Sequence, residues 1–442
     1  MDTPICDFVR RYVHSDTLRL HMPGHKGSGP LGIEHLDITE IAGADSLYEA
    51  EGIIAASENN ASTLFGCPSF YSTEGSSQCI RAMLHLCLLH GKRIGRRPLI
   101  AAGRNAHKVL LSAAALLDLE IRWLYPEGSG FYLTCEISPE GLARALSEMS
   151  EKPVGVYVTS PDYLGNMLDI KALAEVAHRH GCLLMVDNAH GAYLKFLPQS
   201  LHPMDLGADL CCDSAHKTLP VLTGGAYLHS SPALSPQAKN ALALFGSTSP
   251  SYLILQSLDA ANAYLSNGYA EKLWNLIHIV VDCKDRLSRH GYVFLGNEPT
   301  KLTIDAKAYG YSGTELAGLL RQMGIECEFS DPDYLVLMAT PETGSGGLLR
   351  LEQALLSIPR RDAILSPAPG FYIPERVMSV REAALCLCET IPVFKSEGRI
   401  LAAATVGCPP AVPIIVCGER IDKETIQRFQ YYDIDSCCVI SE

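Results

Sequence analysis

The stretch ADLCCDSAHKTLP, residues 208–220, decides how the rest of this chain is read. Ala208 to Cys212 reads as a buried strand. The octapeptide DSAHKTLP (213–220) then places Lys217 just beyond the strand, among small and hydroxylated residues, Ser214, Ala215 and Thr218. A lysine in such a place is costly as structure, because leaving water penalises its charged form and lowers its pKa. That penalty is useful in an amine that must attack an aldehyde. The reading is a Schiff-base lysine for pyridoxal 5'-phosphate (PLP). The plain alternative is a loop lysine whose head reaches solvent.

Working outward, the segment CLLMVDNAHGAYL (182–194) carries the next signal. Cys182 to Val186 is a continuous apolar run, as expected of a parallel strand covered on both faces. Asp187 stands at its end. In doubly wound α/β sheets, ligands bind beyond the carboxyl ends of the strands. Asp187 is thus placed to meet a pyridinium nitrogen, a pairing that keeps the ring protonated and strengthens it as an electron sink. The alternative is an aspartate that caps the following turn.

Composition sets the outer bounds. A length of 442 residues suits two or three domains. With 36 Lys+Arg against 49 Asp+Glu the net charge is −13, which argues against nucleic acid and anionic membrane surfaces as partners. The 16 cysteines include no CxxC pair and sit largely in apolar runs. They read as reduced, buried thiols rather than a disulfide framework or a zinc site. No apolar run approaches a membrane span, and the opening MDTPICDFVRRY does not resemble a signal peptide. A cytoplasmic protein is expected.

Along the chain, residues 1–20 read as helical and 21–60 as an irregular arm. From about residue 62 strands and helices alternate, with strands expected at 98–102, 120–125, 153–159, 182–187 and 208–212. Helices are expected at 107–118, 139–149 and 170–180 between them. This alternation predicts an α/β fold with a mostly parallel sheet. Gln78 to His90 carries a helical apolar stripe that Gly91 is expected to close. A long helix is expected over 251–291, and 300–357 reads as a smaller α+β domain. The expected division is 1–60 (helix and arm), 61–291 (large domain), 292–363 (small α+β domain) and 364–442 (C-terminal module).

Several motifs fall at the same rim. Gly75, Ser76 and Ser77 stand ahead of the striped helix, where free N–H groups, the dipole and two hydroxyls make a phosphate cradle; a serine N-cap is the simpler reading. In GRNAHK (103–108), His107 lies between a strand and a helix and could stack on a pyridine ring. VTSPDYLGN (158–166) borders the crevice or is only a Pro-Asp turn. HMPGHKG (21–27) holds two histidines with no acidic or cysteine partner at ligand spacing, so no metal site is expected.

These motifs, with DITE and GADSLYEAEGII before them and STSPSYL (247–253) after, come in one order, and in that order they resemble the Orn/Lys/Arg decarboxylase family. ETIP (389–392), EGRI (397–400) and PPAVPIIVCGERI (409–421) resemble that family's C-terminal domain. The resemblance covers nearly all of residues 20–421 and is to the short bacterial type, without the long N-terminal wing of the large inducible enzymes. It implies PLP as cofactor, an aspartate aminotransferase-like large domain with a smaller α+β C-terminal domain, and at least a homodimer with sites at its interface. It further implies that Lys217 binds PLP covalently, with His216 beside it, Asp187 on the pyridine nitrogen and His107 on the ring. Ser76, Ser77 and Ser214 would hold the phosphate, joined by Ser247 or Thr248 from a neighbouring subunit. Asn188 stands where many members carry a glutamate, and Tyr193 where a histidine is common.

The implied reaction is α-decarboxylation of a basic amino acid, arginine first and lysine or ornithine next, within polyamine biosynthesis. Glu389, Glu326, Glu328 and Asp331 are candidates to read a cationic side chain, or are solvated surface. Two rival readings stand beside this one. The first is an aminotransferase of the same fold, which needs an arginine for the α-carboxylate and exchanges with a keto acid. The second is a non-catalytic PLP-binding regulatory protein.

Overall fold

The computed structural model of the chain describes residues 1–127, 132–403, 405–408 and 412–441. Pro409, Pro410 and Ala411 of the C-terminal motif lie outside these. Short strands form, all but β3 almost wholly buried: β1 (Ser69–Ser72), β2 (Leu99–Gly103), β3 (Glu120–Leu124), β4 (Gly155–Thr159), β5 (Leu183–Asp187), β6 (Leu210–Asp213) and β7 (Ala226–Ser230). The helices that alternate with them are α1 (Pro4–Val13), α2 (Ile53–Phe65), α3 (Gly75–Arg93), α4 (Lys108–Leu117), α5 (Pro139–Glu148), α6 (Ile170–Arg179), α7 (Ala215–Thr218), α8 (Ala238–Ala243), α9 (Tyr252–Leu265) and α10 (Tyr269–His290).

The chain divides into two compact units. Met1–His90 and Leu183–Lys272 form the first, Gly91–Cys182 and Leu273–Glu442 the second. In the first, strands run in the order β1-β7-β6-β5. β5 and β6 are parallel, while β7 is antiparallel to both β6 and β1. In the second the order is β4-β2-β3, all parallel.

The second unit also holds a four-stranded sheet, β10-β11-β9-β8, built from β8 (Val293–Leu295), β9 (Lys301–Asp305), β10 (Phe329–Ser330) and β11 (Tyr334–Met338). Period-two alternation gives this sheet two different faces. Leu302, Ile304, Leu335 and Leu337 pack with α10, α11 (Gly313–Gln322) and α12 (Gly344–Ser357). Tyr334 and Val336 point the other way, into a cluster with Val393, Leu401, Ile414 and Phe429 of the C-terminal segment. That segment adds α13 (Val380–Ala384), β12 (Cys388–Pro392), β13 (Thr405–Cys408), β14 (Val412–Val416), α14 (Lys423–Tyr431) and β15 (Ser436–Ile440). One buried cation anchors it. The Arg104 guanidinium donates to the carbonyls of Pro413 (2.9 Å) and Ile414 (3.2 Å) and pairs with Glu419 (3.3 Å), with both charged side chains almost fully buried.

The strands and helices expected between residues 98 and 213 form within two residues of their expected bounds. Elsewhere the expectations need correction. Helix α1 ends at Val13, not near residue 20, and α2 begins inside the segment read as an irregular arm. Helix α3 runs through Gly91 to Arg93. The glycine there serves close approach rather than termination, since a Cβ would stand 2.7 Å from Val154 Cγ2. The long helix breaks into α9 and α10 across Ser266, Asn267 and Gly268, with Gly268 at φ 75°. β8 is too short, at three residues, to have been read as a strand. No helix among the described residues is long and apolar enough to cross a membrane.

Candidate active site

β5 and β6 lie side by side in parallel, with Asp187 opposite Cys212. Their carboxyl ends therefore open at one place, and the two following turns carry the reactive side chains. Asp187 is buried; its Oδ1 accepts from the Ala189 N–H (3.2 Å) and from the Cys212 thiol (3.5 Å). Burial, with the Asp187 charge beside it, pushes that thiol well above its ordinary pKa and keeps it a donor.

Lys217 sits on the single turn α7, its N–H donating to the Ser214 carbonyl at 2.9 Å. Its Nζ lies 2.9 Å from His190 Nε2, on the turn that follows β5. His190 belongs to the quoted VDNAHGAY motif, yet nothing in the local sequence singles it out; only the pairing of two strand ends reveals it. His216 is held otherwise: its backbone N–H (3.2 Å) and its ring Nδ1 (3.0 Å) both meet the Gly225 carbonyl.

The cradle lies in the same unit. Gly75 opens α3 at φ 71°, a left-handed conformation that favours glycine, and its N–H donates to the Gly224 carbonyl. Ser214 Oγ and Ser76 Oγ are 2.8 Å apart, which joins the α3 N-terminus to the Lys217 turn. Ser77 follows, half-buried, on the first turn of α3. The strand–helix corner is fixed by Ser72, which donates to Gln78, and by Gln78, which donates to Tyr48 and the Leu242 carbonyl. Ser247 and Thr248 are exposed, and the Ser247 N–H donates to Glu74, the neighbour of Gly75.

Similarity to known proteins now decides the family. Residues 3–309 match the Orn/Lys/Arg decarboxylase major domain and residues 372–436 the Orn/Lys/Arg decarboxylase C-terminal domain. This chain belongs to the Orn/Lys/Arg decarboxylase family. An arginine decarboxylase of Bacillus subtilis is 28% identical over 463 residues, covering 96% of this chain and 92% of its own. In three dimensions, the Francisella novicida lysine decarboxylase superposes with a TM-score of 0.81 at 17% identity over 99% of this chain and 81% of its own. The constitutive lysine decarboxylase of E. coli gives 0.78 at 16%, over 100% and 82%. The fold is that of the PLP-dependent aspartate aminotransferase-like enzymes, with a mostly parallel sheet and a smaller C-terminal domain.

For a member of this decarboxylase family the cofactor is PLP, and the residues present fit it. An amine faces the rim, a carboxylate is buried at the end of the adjacent strand, and the N-terminus of a 19-residue helix carries serine hydroxyls for a phosphate. His107 belongs to the second unit, where it is the N-cap of α4 and its Nδ1 accepts from the Val109 N–H at 3.3 Å.

The acidic candidates for a cationic side chain also lie in the second unit, and each has partners there. Glu389 pairs with Arg399 (2.7 Å) and Glu326 with Arg321 (2.8 Å). Glu328 accepts from the Tyr163 hydroxyl (2.8 Å). Asp331 accepts from the N–H groups of Asp333 and Tyr334, and burial pushes its pKa up to about 6.

Proposed function

We propose that this chain removes the α-carboxyl group of a basic amino acid as CO2, leaving a polyamine-type amine, with arginine ahead of lysine or ornithine as substrate. The observation that carries this reading is the placement of Lys217 Nζ against His190, on turns beside the buried Asp187, within a chain of the Orn/Lys/Arg decarboxylase family. The arginine decarboxylase relatives of Bacillus subtilis and Bacillus anthracis support arginine as first choice.

PLP, when bound, supplies the sink for the electron pair left on Cα as CO2 departs. The chain's own residues do the rest. Lys217 is the covalent attachment point, and the neighbouring His190 ring can take or return a proton at Nζ. Asp187, buried at the end of β5, would pair with a protonated ring nitrogen. Ser76, Ser77 and Ser214 would bind the phosphate through backbone and hydroxyl donors, with Gly75, its N–H held by the Gly224 carbonyl, shaping the turn that presents them. The family resemblance implies that His107 would stack on the ring. His216, pinned to the Gly225 carbonyl, stands next to Lys217, and either returns the proton to Cα. Ser247 and Thr248 complete the phosphate site of a partner subunit in a homodimer. The many apolar-packed thiols support a reducing compartment, and we place the protein in the cytoplasm.

The test is to incubate the PLP-loaded protein with arginine, lysine and ornithine in parallel and to measure CO2 and the amine formed. Release of CO2 with agmatine from arginine is the expected result. Transfer of the amino group to a keto acid without CO2 would overturn the proposal.

A further inference from the structure

Behind the Lys217 turn lies a buried polar cluster that the reaction does not use. Its centre is Asp213, the last residue of β6, with no exposed surface. Oδ1 accepts from Asn188 Nδ2 at 2.6 Å, and Oδ2 lies 3.1 Å from both His202 Nε2 and His229 Nε2. Asn188, His202 and His229 are equally buried.

Proton counting assigns the charges. The Met204 N–H points at His202 Nδ1 (3.4 Å), so His202 carries its proton on Nε2 and is neutral. Ser69 Oγ donates to the Cys67 carbonyl (2.9 Å), which leaves it to accept from His229 Nδ1 at 2.8 Å. His229 then donates from both nitrogens and is an imidazolium. Asp213 and His229 thus form a charge-balanced pair in the core. Burial alone would raise the pKa of Asp213 and lower that of His229, yet the contacts outweigh it: His202 and His229 together hold the carboxyl well below its ordinary range, and Asp213 raises the His229 imidazole. His202, Cys211 and Asp213 also bring three donor atoms within 4.8 Å of one another. With Oδ2 taken by two imidazoles and the Cys211 thiol held protonated by burial, the cluster reads as a hydrogen-bond network rather than a metal site.

The network reaches both partners of the amine. Asn188 begins the turn that carries His190, closed by the Gly191 N–H on the Asn188 carbonyl (2.8 Å). Asp213 begins the turn that carries Lys217. The Asn188–Asp213 bond is therefore a side-chain clasp between the two strand-end turns, and His202 and His229 fix its far side. We propose that Asp213 is a positioning residue: it holds the His190 and Lys217 turns in register, so that the amine is presented to PLP. This rests on Lys217 being the attachment point.

The test measures capture of PLP by the apoprotein, followed by growth of its visible absorbance, for wild type, Asp213→Asn, Asn188→Ala and a control, Asp259→Asn. Asp259 is another buried carboxylate, but it binds the N-terminus of α1 and Ser57 rather than the two turns. Asp213→Asn and Asn188→Ala should capture PLP slower by on the order of tenfold to a hundredfold. Asp259→Asn should lower the melting temperature and leave capture within about twofold. Asn188→Ala leaves the buried ion pair intact, so it reports even if Asp213→Asn fails to fold. Equal slowing in all variants, or a folded Asn188→Ala that captures at the wild-type rate, would overturn the proposal. Wild-type protein that captures no PLP at all would instead sink the cofactor assignment on which it rests.

Discussion

Asp213 in the first unit and Asp162 in the second are both buried carboxylates, and they respond to burial in opposite ways. Asp213 meets two imidazoles, one of them charged, and stays ionised. Asp162 accepts from the neutral Asn166, whose N–H and side-chain amide donate at 2.9–3.2 Å. Lys301 is near, its Nζ donating to the Asp162 main-chain carbonyl (3.2 Å), and its charge favours the ionised carboxylate. Desolvation wins there, and the pKa of Asp162 is pushed up to about 6. The contrast teaches that amide donors with a cation nearby can still lose to desolvation, whereas two imidazoles bonded directly to a carboxylate oxygen outweigh it.

The first unit gathers its charges for chemistry, so the largest effect should come from the amine it serves. Lys217→Ala should abolish turnover and the visible absorbance of the bound cofactor, with borohydride reduction and peptide mapping of wild type labelling Lys217. A variant that still released CO2 at the wild-type rate would break the assignment. Next, Asp213→Ala leaves His229 as an uncompensated buried cation. It should destabilise the fold by about 3–5 kcal/mol in urea denaturation, the usual cost of removing one partner from a buried pair. A loss below about 1 kcal/mol would mean that His229 is neutral in the native protein.

Asp162 sharpens the comparison through pH. Its folded pKa stands above the ordinary 3.8, so between those values the folded state holds a proton that the unfolded state has released. That contribution falls as pH rises from about 4 to about 6. Asp162→Asn should flatten the melting temperature across this window and match or exceed wild type at pH 7. Asp213 has the reverse sign, since its depressed pKa gives stability present above the ordinary carboxyl range and lost only in strong acid. The smallest effect is expected at the exposed Arg321–Glu326 pair, where Glu326→Gln should leave both melting and activity unchanged.

The strand-end logic was legible because it is local. A run of apolar residues followed by Asp187, or by Ser214 to Lys217, announces both a buried strand and what stands at its mouth. His190 and the clasp were not legible. Their meaning depends on β5 pairing with β6, and on His202 and His229 arriving from 11 residues before Asp213 and 16 residues after it. Helix α2 was missed for a different reason. IIAASENNASTLF has weak helical periodicity, and its N-terminus is held by Asp45, which accepts from the N–H groups of Gly52, Ile54 and Ala55. A capping acid seven residues before the nearest of these donors leaves no cap signature beside the helix.

Arg104 has a practical consequence for anyone shortening this protein. The region matched as a C-terminal domain resembles a removable appendage, yet it supplies the two carbonyls and the carboxylate that satisfy a guanidinium rooted just after β2. A truncation ending near residue 370 would strand that guanidinium without its counter-ion, and the remaining polypeptide should emerge insoluble however well its catalytic half was chosen.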